Sequence, residues 1–232
     1  MKWLNLVICS AALLLSVSCS AKQASTSTKQ LELPGANLSA LVVNNSNGQI
    51  EVVGKKDADK IQADVVINGS NMDKLKLNLE NKDGVATLNA FFEGQFLATG
   101  PQSVDIKLTL PERMKLEIKK PHKDGNITVS NLSSDVTIDN VNGNLNLSAI
   151  GGPIQVKNRD GEIAIRDVSS DVNIENVNGH LKVENVGGSA NVELGDGSLD
   201  IDRVAKNVII IQSGSGKVTV GEVKGKVTQS RK

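Results

Sequence analysis

Tyrosine is absent from this chain, tryptophan occurs once and phenylalanine three times, so aromatic residues make up 2% of its 232 positions. Sugar recognition by ring stacking needs exposed aromatic faces, and there are almost none to expose. Two cysteines cannot lay down a multi-bridge disulfide framework. Two histidines, His122 and His180, leave little material for a histidine-rich metal site or an acid–base pair. Basic and acidic residues balance at 26 each, which argues against a nucleic-acid partner. No apolar run reaches the roughly 20 residues of a membrane-spanning helix.

The longest such run, Trp3 to Leu15, follows Lys2 and leads into Ser16-Val17-Ser18-Cys19. That order of charge, apolar stretch and small residues predicts a signal peptide at 1–18. Ser18-Cys19 resembles the bacterial lipoprotein box, although Ser16 stands where leucine is usual and Leu15 lies one place earlier. The resemblance implies cleavage before Cys19, acylation of that cysteine and, with Ser20 in place of Asp, sorting to the outer membrane. Cys9 would leave with the signal, so Cys19 would be the mature chain's lone cysteine. The following SAKQASTSTKQ lacks core-forming residues, and 19–38 is expected to be a flexible tether ahead of one domain at 39–232.

What the chain does have is glycine, 21 residues of it, set at regular intervals. From Gly125 onward a nine-residue unit recurs: GNITVSNLS, SDVTIDNVN, GNLNLSAIG, GPIQVKNRD, GEIAIRDVS, SDVNIENVN, GHLKVENVG, GSANVELGD and GSLDIDRVA. KNVIIIQSGS, with one extra residue, GKVTVGEVK and GKVTQSRK complete it. Positions three and five are apolar, as in Ile127/Val129 and Leu145/Leu147, and a spacing of two predicts a strand. A third apolar position, with Leu132, Val141, Ile150, Val168, Val177, Val186 and Val204, lies three residues further on and breaks that parity. The chain is therefore expected to bend there, with Asn131, Asn140, Asn158, Asn176 and Asn185 at the bend, because asparagine tolerates left-handed backbone. Arg159 and Gly195 interrupt the third apolar position and are expected at one irregular corner.

The dipeptides joining the units cycle through Asp-Gly, Ser-Ser, Asn-Gly and Gly-Gly, so Ser133 to Val168 resembles Ser169 to Val204, thirty-six residues on. Such a duplication suits two or four units per coil. These features predict an all-β parallel solenoid, with regular repeats at 120–232 and wider strands at 39–119 closing one end. An antiparallel meander is the competing architecture, since Asn-Gly and Asp-Gly also make hairpins.

The opening LVVNNSNGQIEVVG, the middle VDIKLTLPERMKLEIKKPHKDGNITVSNL and the glycine-punctuated strands after it resemble a bacterial putative-adhesin family of unknown function. The resemblance covers about residues 39 to 230 and implies a β-helix of the cell envelope.

Candidate sites are few. Phe91, Phe92, Phe96 and Leu97 gather the remaining aromatics, either as a plug over the first coil or as a contact patch for a partner or lipid. Lys206, Lys217, Lys224, Lys226 and Arg231 make the last coils basic, either guarding an open end or forming a patch for anionic ligands. Asp139, Glu175, Glu184, Glu193 and Asp202 share the sixth position and, beside Lys157 and Arg166, could line one outer face as in a polysaccharide-cleaving β-helix. His122 lies in a polar bend, His180 is expected to face water, and the Asp-Gly turns at Asp124, Asp160 and Asp196 do not match a calcium repeat. No catalytic residue, metal or cofactor is assigned. The leading expectation is a non-catalytic outer-membrane lipoprotein, facing the periplasm or the cell surface. Its expected partners are the membrane, through the lipid, and an envelope protein or polysaccharide. An envelope-stress or surface-protection role against anionic or amphipathic agents, and a polysaccharide lyase or hydrolase, are the alternatives.

Overall fold

The computed structural model describes residues 25–70, 72–94 and 102–232. Apart from a 3-10 turn at Met72–Lys74, the elements of these residues are strands. The first eight are β1 (Ser25–Pro34), β2 (Ala40–Asn45), β3 (Ile50–Lys55), β4 (Lys60–Gly69), β5 (Leu75–Lys82), β6 (Val85–Phe92), β7 (Ser103–Pro111) and β8 (Lys115–His122). The repeat region supplies β9 (Ile127–Leu132), β10 (Val136–Asn140), β11 (Leu145–Ile150), β12 (Ile154–Asp160), β13 (Ile163–Val168) and β14 (Val172–Asn178). It continues with β15 (Leu181–Val186), β16 (Ala190–Asp196), β17 (Leu199–Val204), β18 (Val208–Gln212), β19 (Val218–Val220) and β20 (Val227–Arg231).

These strands form two facing sheets. From β8 onward, even-numbered strands enter one sheet and odd-numbered strands the other, each pairing in parallel with the strand two further along. One coil is thus two nine-residue units, and Leu145 lies beside Ile163 as Ile163 lies beside Leu181. The parallel register excludes the meander. At the C-terminal end the offset grows from 18 to 19, with Leu199 beside Val218 and Val208 beside Val227. The extra residue of KNVIIIQSGS accounts for that step.

The two sheets use the repeat differently, and the uniform bend expected of every unit is corrected here. In the odd-strand sheet the seventh residue does take positive φ, at Asn131, Ala149, Asp167, Asn185 and Arg203. That twist turns the eighth residue inward, burying Leu132, Ile150, Val168, Val186 and Val204. In the even-strand sheet the strand runs straight on, so the seventh residue points inward instead. Asn140, Asn158 and Asn176 are buried there, and Val177 is left 51% exposed. Val141 likewise stays out of the core that the third apolar position was expected to build.

The core of the repeats is aliphatic and continuous, with positions three and five of both unit types buried from β9 through β18. A coil buries too few side chains to offset its own chain entropy, so its stability comes from its neighbours. At the N-terminal end the parallel coil β2–β3 is followed by longer antiparallel strands: β4 pairs with β7, β1 with β4, and β5 with β6. Leu31, Leu33, Leu75, Leu77 and Leu79 on the two outermost strands pack against the core from half-buried positions. The tether expected at 19–38 is corrected in its second half, because Ser25–Pro34 are paired to β4 along their whole length.

Candidate functional site

The most unusual chemistry lies inside the even-strand sheet. His122, at the end of β8, is fully buried, and Asn140, Asn158 and Asn176 stack after it on β10, β12 and β14. Their side chains form one hydrogen-bonded column. Asn140 Nδ2 donates to Asn158 Oδ1 at 2.7 Å, Asn158 Nδ2 donates to Asn176 Oδ1 at 2.8 Å, and Asn176 Nδ2 donates to the Asn178 carbonyl at 3.0 Å. At the other end His122 Nδ1 lies 3.0 Å from Asn140 Oδ1, and Nε2 lies 2.8 Å from the Gly48 carbonyl. Burial pushes the imidazole below its usual pKa, while the contacts to Asn140 and Gly48 and the charge of Asp124 oppose that shift. The expected polar bend around His122 is therefore corrected: the ring is interior. Beyond Asn176 the column turns apolar at Leu194 and returns to an amide at Gln212.

The outer faces carry rows of mixed charge. The sixth-position acids do not share one face, which corrects the single-face expectation. Asp139, Glu175 and Glu193 project with Lys157 from the even-strand sheet, whereas Glu184 and Asp202 project with Arg166 from the odd-strand sheet. Several of these charges are paired, Lys157 with Glu175 at 3.0 Å and Arg203 with Glu184 at 3.5 Å. Asp139, Glu175 and Glu193 line one open groove with Lys157, which is paired to Glu175, while Glu184 and Asp202 stand on the other sheet. Arg159 and Gly195 lie in one column of the even-strand sheet and line an open groove with Val177 and Glu193.

The recurring aspartates are used at corners. Asn178 Nδ2 donates to Asp160 Oδ1 at 2.7 Å, and this bond, with Arg159 beside it, holds the carboxyl below the usual range. Asp196 is lowered in the same way by the Ser215 backbone N–H and hydroxyl. His180 is partly exposed, with Nδ1 2.7 Å from the Ser198 hydroxyl. Among the described residues no group of three or more His, Cys, Asp or Glu could hold a metal ion.

The basic residues of the last coils fall on both edges of the solenoid. Lys224 stacks on Ala205 at the corner leading into the even-strand sheet, where the Lys226 N–H also donates to Asn207 Oδ1 at 2.9 Å. Lys206 belongs to that corner, since its carbonyl accepts the Gly225 N–H. Lys217 stacks over Ser198 at the opposite corner, close to the end of β20, where Arg231 Nη2 donates to Gln212 Oε1 at 3.1 Å. Sequence proximity suggested a single patch; half a coil separates its two parts.

Of the aromatic group, Phe92 is buried and packs over Gly69, as a plug would, while Phe91 points to the outer face of β6. Phe92 thus leaves the contact-patch reading. Phe96, Leu97 and Cys19 lie outside the described residues.

Stacked coils of paired units, two sheets and a polar column in an aliphatic core define a two-sheet β-solenoid. The chain belongs to the Toastrack DUF4097 family, whose profile matches residues 29–229. Among solved structures, a putative cell adhesion protein from Clostridium sporogenes shares 15% identity at a TM-score of 0.40, over 90% of this chain and 100% of its own. A putative adhesin from Bacteroides fragilis shares 15% identity at a TM-score of 0.45, over 90% of this chain and 98% of its own. Comparison with curated proteins returns no match.

Proposed function

We propose that the protein is a non-catalytic lipoprotein of the bacterial cell envelope, anchored through an acylated Cys19, whose solenoid is a scaffold or adhesion surface. The observation that carries this reading is the register. Parallel stacking sets the outward side chains in columns about 4.8 Å apart along two rigid faces, a repeating surface suited to a repeating or extended partner. The anchor is supported by the apolar leader ending in Ser18-Cys19.

Cells grown with an alkyne-bearing fatty acid should label the wild-type chain and fail to label Cys19→Ala, which should also move from the membrane to the soluble fraction. Labelling of Cys19→Ala would remove the anchor. Mild crosslinking in intact envelopes should then recover a specific protein or polymer with the anchored form and not with Cys19→Ala. Recovery of bulk lipid and lipoproteins alone would count against the adhesion role.

A second reading, surface protection by binding anionic agents, is favoured by the gathering of Lys206, Lys224 and Lys226 at one corner. Each lysine near an anionic surface contributes about 1 kcal/mol. Reversing all three to Glu should therefore weaken cosedimentation with phosphatidylglycerol-containing vesicles about 100-fold or more, while reversing Lys217 and Arg231 should do much less. Equal effects from both edges, or none from either, would discard a localised site.

A further inference from the structure

Along its own line, with one N–H of each amide directed down the column, the buried run has one more hydrogen-bond acceptor than a neutral ring and three amides serve. Each asparagine passes one bond along, donating through Nδ2 and accepting through Oδ1. Both ends of the run are backbone carbonyls, Gly48 at the histidine end and Asn178 at the other. With the amides oriented toward Asn178, Asn140 turns its carbonyl oxygen to His122 Nδ1 while Nε2 faces the Gly48 oxygen. Both ring nitrogens must then donate. A neutral imidazole carries one N–H and cannot do so; an imidazolium carries two.

For the neutral ring there is another arrangement. Nε2–H keeps its bond to Gly48, Nδ1 becomes an acceptor, and Asn140, Asn158 and Asn176 each rotate by half a turn so that every amide donates toward the histidine. The bond given up is then the last one, from Asn176 to the Asn178 carbonyl. Asn176 Oδ1 is then left facing the Asn178 carbonyl oxygen, a contact eased because that carbonyl keeps the Gly161 N–H at 3.3 Å. Keeping the original orientation with a neutral Nδ1–H ring would instead leave the Nε2 lone pair facing the Gly48 oxygen at 2.8 Å.

We propose that His122 and the three asparagines form a proton-controlled polarity switch, in which one proton on the imidazole sets the direction of every amide in the column. Loss of that proton reverses the column and releases the Asn176–Asn178 link three strands away. The charged surroundings leave the histidine as the titrating member. Asp124 acts on the ring directly, and Asp105 of β7 accepts the Gln49 N–H next to Gly48. Glu51 of β3, Glu117 and Lys119 of β8 and Asp139 of β10 project outward, and Lys123 in the connecting segment is exposed. Burial favours the neutral ring and is the larger influence, whereas the carbonyls at its two nitrogens favour the charged one. The three asparagines themselves border the groove lined by Arg159, Val177, Glu193 and Gly195.

The test is a pH titration of the isotopically labelled protein by NMR, following the His122 ring nitrogens together with the side-chain NH2 signals of Asn140, Asn158 and Asn176. All four residues should shift with one common midpoint below that of an exposed histidine. Asn158→Leu breaks the column with a residue that the fold already accepts at the equivalent position of β16, Leu194. In that variant the Asn176 response should vanish while those of His122 and Asn140 persist. The proposal is overturned if His122 titrates while Asn176 stays still, if His122 does not titrate at all in the folded protein, or if Asn176 keeps its midpoint in Asn158→Leu.

Discussion

Removal of residues 161–178 should leave a folded protein that melts cooperatively, whereas removal of 161–169 alone should abolish the fold. The longer deletion takes out one whole coil, β13 and β14, and rejoins Asp160 to Gly179 in place of Gly161. Leu181 then pairs where Ile163 did, and every later strand stays in its own sheet. The buried column also closes properly. Asn158 becomes its last member, with the Asp160 carbonyl standing where that of Asn178 stood for Asn176. The shorter deletion removes half a coil and moves everything after it to the opposite sheet. Arg203, an exposed seventh residue with positive φ, would have to point into the core. Lys206 would occupy the column of Gly143 and Gly161, where a Cβ meets a backbone carbonyl oxygen at about 2 Å. An uncompensated buried charge costs several kcal/mol by itself, against a total stability of about 5–15 kcal/mol for a domain. Circular dichroism and urea titration of both deletions check this; a folded nine-residue deletion would refute the two-unit coil.

That contrast also marks how far the sequence could be read. The strand spacing at positions three and five, the parallel stacking and the even count of units per coil all follow from side-chain parity and from the thirty-six-residue echo. The division of labour between the sheets does not, because a nine-residue repeat makes every unit equivalent. Compared in eighteens, the eighth position is always aliphatic in one set, Leu132, Ile150, Val168, Val186 and Val204, and of mixed character in the other, Val141, Arg159, Val177, Gly195 and Ser213. That difference was the available signal for which asparagines bend the chain and which are buried. His122 carried no such signal: its place in the column depends on a register shift between β8 and β10, where Asn140 pairs with His122 rather than with the residue that uniform pairing would give. The basic patch failed for a related reason, since Lys217 and Lys226 are nine residues apart and so lie on opposite edges. On a two-unit coil, neighbours in space are eighteen apart.

Gly161→Ala should destabilise the protein by about 3 kcal/mol or more, although it adds a single methyl group. Gly161 begins an odd-strand unit with φ +133°, a conformation essentially reserved for glycine, and a Cβ built there lies 2.2 Å from the Gly143 carbonyl oxygen. The obstacle is backbone, so no side chain can rotate out of the way. Nor can the carbonyl retreat, because the Gly143 N–H is held by Asp160 and its strand is paired on both sides. Gly94→Ala is the milder case, a positive φ of the ordinary left-handed kind without the contact. Gly94 also has positive φ, at +69°, but among the described residues nothing lies within 4 Å of its added Cβ. Its substitution should carry the conformational cost alone, about 1–2 kcal/mol. Urea midpoints of the two variants measured side by side should therefore differ clearly, with Gly161→Ala the lower. Equal midpoints would mean that the stacked corners yield, and that the glycine column is maintained by backbone conformation rather than by the closeness of one coil to the next.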